Sequence, residues 1–220
     1  MSRLHADSIT KSFNGHKILG DVCLICETGS VTGLLGRNGT GKSTLLKIIS
    51  GTVQGDSQFI RVDDKVMTSQ PDRRGMISFL PQSSFLPREV KVKNLLSLFC
   101  TSVSEAQLSL SPLIQPVLHE TVRNLSGGKK RLVEVLLILY GDSKFVLLDE
   151  PFSGLSPKTT ELIKGLIREQ SRQKGIIISD HRFRDVLDVS DETYLLSGTY
   201  LKKIEDFKEL QQYNYLPENI

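Results

Sequence analysis

Gly36-Arg37-Asn38-Gly39-Thr40-Gly41-Lys42-Ser43 has the spacing G-x-x-x-x-G-K-[ST]. The chemistry of that pattern is phosphate binding. Small residues let main-chain N–H groups curl around an anion. Lys42 brings a cation to the outer phosphates, and the Ser43 hydroxyl is a ligand for Mg2+. The apolar run VTGLL precedes the loop and STLLKII follows it. The loop should therefore join a buried strand to a helix N-terminus, whose unpaired N–H groups and positive dipole end add to anion binding. A purely structural glycine turn has no need of Lys-Ser at this point.

Phe145-Val146-Leu147-Leu148-Asp149-Glu150 sets two acids after four apolar residues. In open α/β sheets, ligands bind beyond the carboxyl ends of the strands. This strand end should deliver Asp149 to the Mg2+ held by the loop. Glu150 should lie nearer the transferred phosphate, where a carboxylate orients and deprotonates water. Alone, the two acids read equally well as a polar turn; the phosphate loop tips the balance. Leu125-Ser126-Gly127-Gly128-Lys129 precedes a Leu-rich helix and forms a second potential anion site. One cradled nucleotide has little use for it, which suggests a nucleotide held by another subunit. The plainer alternative is an ordinary N-cap.

The elements that must position these residues can be read coarsely. KILGDVCLICE near residue 20, IRVDD near residue 60, VTGLLG, MISFLPQ at 76–82, KFVLLDE and GIIISD read as strands. KSTLLKII, stopped by Gly51, and GGKKRLVEVLLILY read as helices. Pro157 to Lys174 reads as a third, with Ser156 as N-cap and Pro157 at the first helical position. Buried apolar runs alternating with helices predict an α/β fold with a mostly parallel sheet covered on both faces. Residues 83–125 carry Pro87, Pro112 and Pro116, yet VKNLLSLFC and EAQLSL look helical. They resemble a helical insert, which divides a single domain, 1–220, into a core at 1–82 and 126–220 and an inserted subdomain. The tail from Asp206 is polar and aromatic and carries no signal.

The 220 residues are 39% hydrophobic and 24% charged, an ordinary globular composition that excludes collagen-like and disordered readings. A net charge of +3 is too small to argue for nucleic acid. The richest apolar run, Leu132–Tyr140, is interrupted by Glu134 and falls short of the roughly 20 residues of a spanning helix. The N-terminus lacks the apolar stretch of a secretory signal. A cytosolic chain, reaching a membrane only through a partner, is expected. Cys23 and Cys26 form a CxxC, but residues three apart on a strand point to opposite faces, so the pair should not share a ligand.

In this order and spacing the motifs resemble the ATP-binding cassette (ABC) ATPases. GRNGTGKST, through Thr44, is similar to their Walker A, LSGGK to their signature and FVLLDE to their Walker B. Gln82 in FLPQ resembles the Q-loop glutamine, and His181 in ISDH the switch histidine. The likeness runs from about residue 3 to residue 205. It implies a P-loop NTPase core with an N-terminal antiparallel β subdomain and an inserted α-helical subdomain. It also implies ATP and Mg2+ as ligands, and a homodimer paired head to tail. Each ATP would lie between one copy's residues 36–44 and Ser126, Gly127, Gly128 and Lys129 of the other. Gln82 would touch Mg2+ and the attacking water, His181 the γ-phosphate, and Phe13 in KSFNG would stack on adenine.

The implied function is the ATP-hydrolysing subunit of an ABC transporter. It would sit peripherally on the cytoplasmic face of the inner (plasma) membrane, on separate transmembrane permease subunits. LSGGKKRLVE and SDHRFRDVL look closest to the ATPases of lipopolysaccharide export and branched-chain amino-acid uptake. The alternative is a soluble ABC ATPase, such as one of iron–sulfur cluster assembly. Three positions depart from the family's commonest form. Lys129 stands where Gln or Glu is usual, and Leu132 and Leu137 where arginines are often found. Ser156 replaces the D-loop aspartate, which in the family helps couple the two ATP sites.

Overall fold

Every residue of Val31–Leu35, Phe145–Asp149 and Gly175–Ser179 is buried, as in strands covered on both faces. The computed structural model, which describes residues 1–213 and 215, builds the chain around these strands. It opens with β1 (Arg3–Phe13), β2 (His16–Glu27), β3 (Val31–Leu35) and α1 (Lys42–Ser50). β4 (Ser57–Val62), β5 (Lys65–Val66), α2 (Gln70–Arg73) and β6 (Ile77–Leu80) follow. The helical stretch holds α3 (Val92–Phe99), α4 (Ser102–Leu110) and α5 (Gly127–Tyr140). The rest is β7 (Phe145–Asp149), α6 (Pro157–Ser171), β8 (Gly175–Ser179), α7 (Phe183–Val189), β9 (Glu192–Ser197), β10 (Tyr200–Ile204) and α8 (Phe207–Gln212).

Two sheets result. The first is antiparallel, with order β2-β1-β4-β5; the second has order β10-β9-β3-β8-β7-β6 and is parallel except for the β9–β10 hairpin. Alternate strand residues face opposite layers. Phe145, Leu147 and Ile177 pack with α1 and the antiparallel sheet, whereas Val146, Leu148, Ile176 and Ile178 pack with the helices on the other face. α5 joins the insert to the core, because Val133, Leu136 and Leu137 share one apolar cluster with Leu95 and Leu96 of α3 and with Val146 of β7.

The register explains why distant motifs meet. Leu80 pairs with Leu148, Asp149 with Ser179, and Gly33 with Ile178. Four parallel strands therefore end along one edge, and the residues just beyond them are the glycine-rich loop at 36–41, Gln82, Glu150 and His181. The expected α/β fold with an antiparallel N-terminal sheet and an inserted helical region is present. β1, β9, β10 and α7 were not singled out from the sequence. Cys23 is exposed and Cys26 buried, and burial pushes the Cys26 thiol up to about 12, so the two do not form a ligand pair. The apolar run Leu132–Tyr140 is the buried body of α5. Among the described residues no helix is long and apolar enough to cross a membrane.

Candidate functional site

Beyond Leu35 the chain turns through Gly36 (φ 155°) and reaches α1 at Gly41 (φ 107°). Side chains are excluded at both points. A Cβ on Gly36 would lie 2.7 Å from the Leu196 carbonyl oxygen, and one on Gly41 2.6 Å from Ile18 Cγ2. No side chain caps the N-terminus of α1, so its first N–H groups remain available to an anion. Lys42 Nζ donates to the carbonyls of Gly36 (2.7 Å) and Arg37 (3.1 Å). Burial lowers its pKa, and the charges of Asp149, Glu150 and Asp180 oppose that shift.

A cavity of about 460 Å³ opens over this loop. Phe13, Asn38, Gly39, Gly41, Lys42, Ser43, Thr44, Gln82, Asp149 and Glu150 all line it. Phe13 ends β1 at the mouth with 48% of its surface exposed, and Lys11 Nζ lies 5.2 Å from its ring centroid. Arg37 and Thr40 face the opposite side of the loop, toward Leu196 and Tyr215. Ser126, Gly127, Gly128 and Lys129 are not among the residues lining the cavity. They form the first turn of α5, with Ser126 Oγ accepting from the Lys129 N–H at 3.4 Å. Gly128 sits so close to Gly154 that a Cβ there would lie 2.7 Å from the Gly154 carbonyl oxygen.

Asp149 is 1% exposed, and its Oδ2 is buried without a hydrogen-bond partner. Burial raises its pKa, while a hydrogen bond with Ser43 opposes the rise. A buried carboxylate oxygen left open beside a hydroxyl, with Gln82 on the same cavity wall, is a hard-oxygen donor set that fits Mg2+. Glu150 holds φ 53°, a strained conformation for a side-chain-bearing residue. Its N–H donates to the Ser179 carbonyl at 2.7 Å, which pins it to β8. His181 is half exposed, with Nδ1 3.2 Å from Asp180 Oδ1 and 3.8 Å from Glu150 Oε2.

Three residues at this edge escaped the sequence reading. Arg131 is buried, and its guanidinium donates to the carbonyls of Pro81 (2.8 Å), Asp149 (2.5 Å) and Glu150 (3.0 Å). Glu134 Oε2 accepts from it at 3.2 Å, while Glu134 Oε1 accepts from Ser84 Oγ at 2.5 Å. In the run KKRLVE these residues look like a solvated charged face. The available signal was their i,i+3 spacing within an otherwise apolar helix. Asp180, also buried, was hidden beside His181.

Among the described residues, His5, Asp7 and Cys23 also cluster as potential metal ligands on the antiparallel sheet. Arg61 Nε lies 3.3 Å from His5 Nδ1, and His5 Nε2 lies 3.6 Å from Cys23 Sγ.

The ABC transporter family profile matches residues 19–153. The lipopolysaccharide export system ATP-binding protein LptB of Haemophilus influenzae is 34% identical over 218 residues, covering 90% of this chain and 88% of the relative. LptB of Escherichia coli K12 is 33% identical over 216 residues, with coverage of 91% and 89%. A solved structure described as the ATP binding subunit of an ABC transporter superposes with a TM-score of 0.84, covering 96% of this chain and 93% of that one at 22% identity.

Proposed function

The chain belongs to the ABC transporter family as an ATP-binding, ATP-hydrolysing subunit, and from that premise we propose that two copies close head to tail on ATP and reopen on hydrolysis. The observation that carries the assignment of roles is the unpartnered, buried Asp149 Oδ2 beside Ser43, next to the N-terminus of α1, which no side chain caps. In this reading the N–H groups of residues 36–44 cradle the phosphates, and the Lys42 ammonium exchanges the Gly36 and Arg37 carbonyls for phosphate oxygens. Phe13 stacks on the adenine. Ser43, Asp149 and Gln82 hold Mg2+, which when bound neutralises charge on the β- and γ-phosphate oxygens.

Gln82 also orients the attacking water, and the Glu150 carboxylate takes its proton. His181 bonds the γ-phosphate. Ser126, Gly127, Gly128 and Lys129 of the second copy complete the enclosure. The first turn of α5 supplies N–H donors there, and Lys129 supplies a cation. One chain carries the complete set of motifs, residues 36–44, 126–129, 149–150 and 181, which makes a homodimer sufficient.

Separate transmembrane permease subunits, holding the dimer at the cytoplasmic face of the inner (plasma) membrane, complete the proposal. The names of the relatives support lipopolysaccharide export as the process served, and they favour a transporter over a soluble assembly ATPase. The test is to purify the tagged chain from native membranes in mild detergent and identify what accompanies it. A co-purifying multi-spanning protein is expected. Recovery only from the soluble fraction, with a soluble partner, would contradict the transporter assembly.

A further inference from the structure

The two residues that flank His181 each grip one end of the same turn. On one side, Asp180 Oδ2 accepts the N–H of Phe152 at 3.0 Å. Its Oδ1 accepts the N–H of Arg182 at 3.0 Å and lies 3.2 Å from His181 Nδ1. On the other side, Arg182 Nη1 donates to Thr160 Oγ1 at 3.0 Å, and that hydroxyl donates to the Ser156 carbonyl at 3.1 Å. Phe152 begins the turn that leads into α6, and Ser156 ends it as the N-cap. Asp180 and Thr160 are 1% and 0% exposed, so both links are shielded from water. Arg182 is further fixed by Asp185 Oδ2, 2.7 Å from its Nε. The same turn presents the Gly154 carbonyl to Gly128.

We propose that Arg182 is a positioning residue for hydrolysis: with Asp180 it staples the 152–156 turn to both sides of His181, so that the histidine and the turn move as one unit. The inference rests on the proposed role of His181 at the γ-phosphate. The turn ends at Ser156, which carries no charge with which to reach across a dimer. The coupling runs instead inside the chain, from the Arg182 guanidinium through Thr160. Among the described residues the Arg182–Thr160 link makes no hydrogen bond with residues 36–44, so cutting it should leave nucleotide binding intact. Misplacing a reacting group by about 1 Å costs on the order of a hundredfold in rate.

The experiment uses the full chain with Mg2+ and ATP and measures steady-state hydrolysis by wild type, Arg182→Ala, Thr160→Val, the double variant and Thr160→Ser. Arg182 is partly exposed and Thr160→Val is isosteric, so the fold should tolerate both; melting temperatures check this. The expected result is a fall in kcat of about tenfold or more in each of the first two, with KM for ATP within about twofold. The double variant should be no slower than either single one, because the two changes cut one link. Thr160→Ser, which keeps the hydroxyl, should hydrolyse like wild type. Unchanged kcat in Arg182→Ala or Thr160→Val, or a loss confined to KM, would overturn the staple. So would a double variant slower by the product of the single losses. A wild-type chain that did not hydrolyse ATP would instead contradict the role given to the site itself.

Discussion

Arg131 Nη2 lies 2.5 Å from the carbonyl oxygen of Asp149, so a buried cation on α5 holds the end of the strand that carries both acidic residues of the site. The same side chain reaches the Pro81 and Glu150 carbonyls, and thereby ties the segment bearing Gln82 to the one bearing Glu150. Its partner Glu134 is 1% exposed. Breaking a buried pair by removing one member leaves an uncompensated charge and costs about 3–5 kcal/mol. Arg131→Met should therefore lower the urea midpoint by that equivalent. Adding Glu134→Leu should recover part of the loss. A single variant as stable as wild type would mean that Arg131 does not brace the strand ends.

Lys42 supplies a different kind of interaction, because its ammonium donates to two loop carbonyls rather than to a carboxylate that braces the fold. Lys42→Ala should fold normally and lose affinity for a non-hydrolysable ATP analogue by at least about tenfold, as expected for a charge-assisted bond. Isothermal calorimetry reads this directly. Unchanged affinity would remove the phosphate-loop assignment.

Asp72 offers a pH test away from the site. Its carboxylate caps α2 by accepting from the N–H groups and hydroxyls of Thr68 and Ser69, which hold its pKa at about 2 against an ordinary 3.8. The ionised form is the one favoured by folding. Its contribution is present above pH 3.8 and is lost as pH falls through about 2. Wild type should melt above Asp72→Asn at neutral pH, and the gap should close across that window. A gap independent of pH would show that the charge is not what caps the helix.

The legible part of the fold was the set of short apolar runs bounded by turn residues. VTGLL, KFVLLD and GIIIS suit strands covered on both faces, and the loop glycines carry a backbone requirement visible as residue type. β1 was less legible: bulges near Ala6, Ile9 and Lys11 break its alternation, so RLHADSITKSF reads as neither strand nor helix. The β9–β10 hairpin was missed for a related reason, since TYLLSGTYLKK mixes apolar and polar residues without a clean period of two. Within the site, Lys42, Asp149 and Glu150 announced themselves through motif spacing. Arg131, Asp180 and Arg182 did not, because their work depends on main-chain carbonyls and amides and, for Arg182, on the Thr160 hydroxyl, which tertiary packing alone brings within reach. Residues 214 and 216–220 of the tail, which carried no signal in sequence, lie outside the described residues.

In the proposed assignment Glu150 takes the proton from the attacking water at a site closed by two copies. The most direct test is ATP turnover and dimer formation by Glu150→Gln, in which the amide keeps the shape and loses the base. The variant should bind ATP, accumulate as a dimer on size exclusion with Mg2+ and ATP, and hydrolyse about 10²–10⁴-fold more slowly than wild type. Hydrolysis at the wild-type rate, or a monomer that persists with saturating ATP, would contradict the account.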